Sequence, residues 1–297
     1  MKRWLLRIGA ILAVAILGLT VLNAQWLAPE PKGGVKLVTA AGLGPASGCG
    51  GSAPYHGFAP NSLASILRAD KLGAAMVEVR VGQGADGAVL LPVGPACGDA
   101  EPASLADLLP QLTRHARLMF NLTSADARLT EGVLDSLAEA GRDPAQERDG
   151  FLGSPEALAV IRARHPDVWA WNPDEAEACS RDYILIGWTG FLPGSCKGKT
   201  MLVRLDNQIV YWGWPNRLLA RMEAEGGNVV ISAPGADPLS GIDLPEQIGE
   251  VPSTFNGYLW VDDAFAILPA LYPRFDTRRQ AEIDATARAL SERRSQR

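Results

Sequence analysis

Glu78 and Arg80 are the acid and base of this 297-residue chain whose spacing best suits chemistry. They alternate with valines in the run Met76-Val77-Glu78-Val79-Arg80-Val81. Side chains alternate across a strand, so Val77, Val79 and Val81 face one way while Glu78 and Arg80 share the other face. A carboxylate there can hold a cation or take a proton. A guanidinium beside it can hold a phosphate, or neutralise the carboxylate as its ion partner. His56 is the histidine available for acid–base work, since His115 stands before a strand and His165 ends a helix. Asp86 and Asp262 read as a turn former and a helix cap.

Local pattern supplies the elements that carry these residues. Asn61 or Ser62 can cap a helix with the apolar face Leu63, Ile66 and Leu67, and Gly73 ends it before the strand of Glu78. Val35 to Ala40 reads as an earlier strand. The small-residue loop Ala41 to Pro54 that follows matches neither GxGxxG nor GxxxxGK[ST], which sets aside a nucleotide-binding loop. After a short return at Ala88 to Leu91, helical patterns at 104–112, 130–140, 155–164, 174–183 and 216–225 intersperse with strands at 118–122, 168–171, 201–205, 229–233 and 258–261. This rhythm predicts one parallel-sheet domain of a length that fits a (β/α)8 barrel, with an open doubly wound sheet as the competing fold.

The helix start Ala59-Pro60-Asn61-Ser62-Leu63, the Gly73-Ala74-Ala75 turn, the strand of Glu78 and Asp86-Gly87 resemble the glycerophosphodiester phosphodiesterase family. Looser similarity runs from about Val35 to Pro269. The resemblance implies a (β/α)8 TIM barrel of the phospholipase-C-like phosphodiesterase type, with its site at the C-terminal ends of the strands. Such enzymes use a divalent metal and two histidines to split a glycerophosphodiester into glycerol phosphate and an alcohol. Here Thr39-Ala40-Ala41-Gly42 stands where the family has its first histidine, and Leu91-Pro92-Val93-Gly94 where it has the second. Glu78 matches a metal ligand, Arg80 replaces an aspartate, and Asn121 with Thr123 replaces a glutamate and a lysine.

The resemblance therefore implies a scaffold with a vestigial metal ligand in Glu78 and no cofactor, a calcium or magnesium ion being expected only if the family site were retained. Two functional readings follow. In one the chain is a catalytically degenerate member, a binding or regulatory module at the cell envelope. In the other it is an altered phosphoric diester hydrolase of glycerophospholipid metabolism that works through Glu78, Arg80 and His56. An envelope structural protein without a ligand is the plainest alternative. Trp212 and Trp214 are candidates to line a groove for a glycerophosphodiester or lipid head group.

The ends and the composition set the surroundings. Lys2, Arg3 and Arg7 precede the apolar run Ile8 to Leu22. Counted from Trp4 it spans roughly 28 Å at ~1.5 Å per residue, near a ~30 Å hydrocarbon core. We expect an uncleaved transmembrane anchor over 1–28, with a cleaved signal peptide as the alternative. A linker at 29–34, a barrel at 35–272 and a basic helix or tail at 273–297 would follow. The basic flank predicts a single-pass protein of a bacterial inner membrane with its body on the exported, periplasmic side. Export favours disulfides from Cys49, Cys97, Cys179 and Cys196. Among the three possible pairings we expect Cys49 with Cys97 and Cys179 with Cys196, free buried thiols being the alternative. A net charge of -5 with no basic block in the body argues against a nucleic-acid partner. The oligomeric state is left open.

Overall fold

The computed structural model describes residues 2–44, 56–93, 102–235 and 237–295. After α1 (Lys2–Asn23) come β1 (Lys36–Thr39), α2 (Leu63–Lys71), β2 (Met76–Arg80), the antiparallel pair β3 (Gly82–Gln83) and β4 (Val89–Leu90), α3 (Leu105–Leu108) and β5 (Leu118–Leu122). The chain continues through α4 (Ala127–Glu139), β6 (Gly150–Gly153), α5 (Pro155–Arg164), β7 (Trp169–Trp171), α6 (Pro173–Ile186) and β8 (Thr200–Arg204). It closes with α7 (Asn216–Ala224), β9 (Asn228–Ser232), β10 (Tyr258–Val261), α8 (Ala264–Leu271) and α9 (Gln280–Ser295).

Eight strands form one sheet in the order β7-β6-β5-β2-β1-β10-β9-β8, with parallel register from β1 through β7 and between β8 and β9. Apart from the β3/β4 hairpin, this is chain order read as a circle and opened between β7 and β8. That is the order of a (β/α)8 barrel, and it excludes the doubly wound alternative, whose order reverses at a switch point.

The chain divides into two compact units. The larger comprises Lys36–Pro173, Gly235–Glu250 and Leu259–Arg297. There α2 begins at Ser62, whose hydroxyl accepts the Ser65 N–H at 3.2 Å, and turns Ile66 and Ala69 inward. Met76 to Val79 of β2 are buried, and Phe120 of β5 stacks on Phe151 of β6 at 5.4 Å. At the N-terminal ends of these strands, Arg142 grips buried Asp149 with two 2.7 Å bonds, while Asp149 also accepts the Leu118 N–H. Asp263 caps α8 by accepting the Ala266 N–H. Of the expected basic helix or tail, the stretch Gln280–Ser295 is the helix α9: its Arg293 reaches Asp263 at 2.6 Å and the Asp243 carbonyl at 2.9 Å, and Arg294 pairs with Glu246. A buried carboxylate needs such a partner, and that need draws the helix in.

The smaller unit comprises Met1–Val35, Asp174–Pro234 and Val251–Tyr258. Cys179 and Cys196 form the expected disulfide there; Cys49 and Cys97 lie outside the described residues. Among the described residues no helix is long and apolar enough to cross a membrane. The apolar run of α1, Ile8 to Leu22, is fifteen residues, or ~22 Å at ~1.5 Å per residue against a ~30 Å core. The expected span is reached only by counting Trp4 to Arg7 into it. Nor is the end of α1 loose, because Ala24 and Ala28 are buried and the Asn256 amide donates to the Lys32 carbonyl.

Candidate functional site

Parallel strands deliver their side chains to the C-terminal edge of the sheet, and in the larger unit a cavity of about 490 Å³ opens there. Glu78 and Arg80 of β2 line it, with Asn121, Thr123 and Ser124 at the end of β5, Asp262 directly after β10, and Asp237 and Ser240 from the 235–250 segment.

Glu78 is 1% exposed and fully engaged. One carboxylate oxygen accepts the Ala41 N–H; the other accepts the Asn121 amide at 2.6 Å and lies 3.4 Å from Arg80 Nε. Thr123 fixes Asn121 in turn, donating to its Oδ1 from both N–H and hydroxyl at 3.1 and 2.7 Å. The Arg80 side chain remains 49% exposed. The pair thus forms as the alternation predicts, with the guanidinium left on the accessible side.

Asn61 holds the edge together. Its amide donates to the Arg80 carbonyl at 2.9 Å and the Pro92 carbonyl at 3.0 Å, while its Oδ1 accepts the Arg80 N–H at 2.8 Å. Ser62, the neighbour, provides the helix cap. Asn61 takes a left-handed backbone, φ 62°, which Asn tolerates better than most residues.

Asp262 lies in the cavity rather than at a helix cap, a role that falls to Asp263. It accepts the Gly241 N–H at 2.8 Å. A Cβ at Gly241 would come within 2.6 Å of that carboxylate, so glycine is required for the approach. Burial pushes the Asp262 carboxyl up to about 6, helped by the charges of Glu78 and Asp243 and opposed by the Gly241 N–H and Arg80. Sequence reading passed it over as a cap; its position directly after the last strand was the available signal. Asp237 and Ser240 sit in a segment without any motif. Asp86 is a turn former, accepting the Ala88 N–H.

His56 does not line this cavity. Its ring packs on Phe58 and Phe265, its Nδ1 accepts the Phe58 N–H at 3.2 Å, and burial, with Arg293 adding to it, lowers it to about 4. Trp212 and Trp214 belong to the smaller unit. The Trp212 indole donates to the Ile184 carbonyl, and Trp214 bonds Gln208 and packs on Tyr211 and Phe255.

The donor set does not fit a divalent cation. Hard cations take six or more oxygens, yet every oxygen of Glu78 is bound to nitrogen donors and a guanidinium occupies the same face. Among the described residues no three His, Cys, Asp or Glu side chains cluster as metal ligands.

No protein-family model matches the chain, and no curated protein matches it. Solved structures do. A candidate glycerophosphodiester phosphodiesterase from Galdieria sulphuraria is 16% identical with a TM-score of 0.54, covering 80% of this chain and 98% of its own. A glycerophosphodiester phosphodiesterase from Parabacteroides distasonis is 15% identical with a TM-score of 0.51 over 86% of this chain and all of its own. A glycerophosphoryl diester phosphodiesterase domain from Mycobacterium tuberculosis is 13% identical with a TM-score of 0.52 over 81% and 99%. At such identities the likeness establishes the fold.

Proposed function

We propose, from the glycerophosphodiester phosphodiesterase fold that this chain carries, that it is a binding module for a glycerophosphodiester or its head group, with the metal chemistry of that fold lost. The observation behind this reading is the engagement of Glu78 by Ala41, Asn121 and Arg80 at the rim of an open cavity. Arg80 is the residue to hold the phosphate, a guanidinium fork being matched to two phosphate oxygens. The hydroxyls of Thr123, Ser124 and Ser240 line the same cavity and suit a glycerol moiety. The test is calorimetry with a glycerophosphodiester and with glycerol phosphate, with and without a chelator, beside a hydrolysis assay. Binding without turnover, insensitive to the chelator, is expected. Chelator-sensitive hydrolysis that Glu78→Ala abolishes would overturn it.

Metal-independent hydrolysis is the second reading, and one observation favours it. Asp262 keeps its proton up to about pH 6 in the cavity that holds Arg80, as a general acid must. His56 packs on Phe265 and does not line that cavity, so this reading rests on Asp262 and Arg80.

We further propose that the chain is held at the exported face of a bacterial inner membrane by α1 lying in the lipid without crossing it. Apolar side chains of α1 stand exposed around the helix, from Ile11 and Leu12 to Val21 and Leu22, and the disulfide of Cys179 and Cys196 suits an oxidising compartment. Alkaline extraction of membranes tests this; release of the intact chain into the soluble fraction would refute it.

A further inference from the structure

We propose that the smaller unit is seated on the bilayer through a fixed collar of aromatic and aliphatic side chains around the end of α1. This rests on the reading of α1 as lipid-embedded and adds to it that the body docks rather than hangs from a tether.

The first observation is distribution. Among the described residues, apart from α1 itself, the exposed large apolar side chains are Trp26, Leu27, Leu185, Ile186, Trp188, Phe191, Ile209, Trp212, Phe275 and Ile283. Eight of these ten are in the smaller unit. Ile209 is 93% exposed, Phe191 77% and Trp26 74%. Single exposed apolar residues need no explanation, but a contiguous patch marks an interaction surface.

The second is continuity with α1. A groove of about 810 Å³ runs between the last turns of α1, at Ile16 and Thr20, and Trp26, Trp188, Ile209 and Trp212; no charged side chain lines it. The collar therefore extends an apolar surface that α1 already presents on all sides. Whatever solvates the helix meets the collar next.

The third is rigidity. Arg221 donates to the Leu22 carbonyl at 3.0 Å, to Asn23 Oδ1 at 3.2 Å and to the Tyr183 hydroxyl at 2.7 Å. Asn23 ties the helix to the Trp188 carbonyl at 2.8 Å, and Tyr183 holds the Trp212 carbonyl at 2.7 Å. Helix ends leave carbonyls without partners, and this clamp satisfies that of Leu22 with a group that also fixes the collar. Because the Trp212 indole N–H is satisfied by Ile184, the ring can lie against hydrocarbon without an orphaned donor. Tryptophan and apolar side chains at the end of a lipid-embedded helix favour the membrane–water interface over water or a protein partner, and this commits the occupant to lipid.

The full chain reconstituted in phosphatidylethanolamine–phosphatidylglycerol vesicles tests the seat, with quencher-labelled lipids carrying the label either near the head group or near the acyl terminus. Tryptophan emission should be quenched by the shallow label, and Trp188→Phe with Trp212→Phe should remove roughly half of that quenching. Ile209→Asp with Phe191→Asp should also lower it while leaving the chain bound to vesicles, with near-ultraviolet dichroism confirming the fold. Vesicle binding without shallow quenching of Trp188 and Trp212 would overturn the seat and leave the embedded helix standing. Failure to bind vesicles at all would overturn both. Cross-linking of two copies through positions 191 and 209 would show a second chain, not lipid, on the collar and also refute it.

Discussion

Glu78 shows how one residue changes meaning with its neighbours. On a strand with a second carboxylate it would be a metal ligand, but beside Arg80 and under Asn121 it becomes the group that orients a guanidinium. Arg80→Ala should weaken phosphodiester binding by about 1.5–3 kcal/mol, the worth of a charge-assisted hydrogen bond, which titration calorimetry would read as roughly ten- to a hundredfold. Binding should also weaken as pH rises through about 6, because the ionised Asp262 repels phosphate, and Asp262→Asn should flatten that profile. Stability carries two opposed slopes. Asp262 is raised in the fold, so its contribution is lost as pH climbs from the ordinary carboxylate range to about 6; His56 is lowered to about 4, so its contribution is lost as pH falls from the usual imidazole range. Each is worth on the order of 3 kcal/mol over its window. Denaturant unfolding between pH 4 and 6.5 should therefore be nearly flat for the native chain, rising with pH in Asp262→Asn and falling in His56→Phe. The Glu78 and Arg80 pairing was legible from alternation alone, whereas the company they keep depends on contacts across strands that spacing does not reveal.

Elements with their own chemical signal were easy to read. β2 declares itself by valine alternation and α2 by its serine cap and closing glycine. β6 was missed because Gly-Phe-Leu-Gly has no β-branched residue, and its glycines exist for packing: a Cβ at Gly150 would fall 2.6 Å from the Met119 side chain. α8 was missed because its apolar run carries Pro269, a helix breaker by type that this short, buried helix accommodates near its end. The Arg142 and Asp149 pair illustrates what long-range partners do for elements, joining the end of α4 to the start of β6 with both charges shielded. Arg142→Ala leaves Asp149 buried without its partner, and equilibrium denaturation should report a loss of about 3–5 kcal/mol.

At the scale of the whole chain the alternation of strands and helices predicts the cyclic strand order, since right-handed parallel crossovers leave few topologies for such a sequence. The bilayer-crossing length was misjudged because flanking residues were counted as hydrocarbon. Cys179 and Cys196 close a loop with a separation of 17 residues, so their joint replacement by serine should cost about 3 kcal/mol, visible as a lower thermal midpoint that matches the reduced native chain. Retained stability after reduction would show that the loop is held by packing alone.

Asn61 carries a liability of a different kind. It is 2% exposed with its amide and its Oδ1 both bonded, and replacing it by aspartate would exchange a nitrogen for an oxygen at nearly constant size. The new carboxylate would confront the Arg80 and Pro92 carbonyls with like charge where the amide now donates. That exchange of one atom would thus unlatch the mouth of the cavity in an otherwise intact molecule.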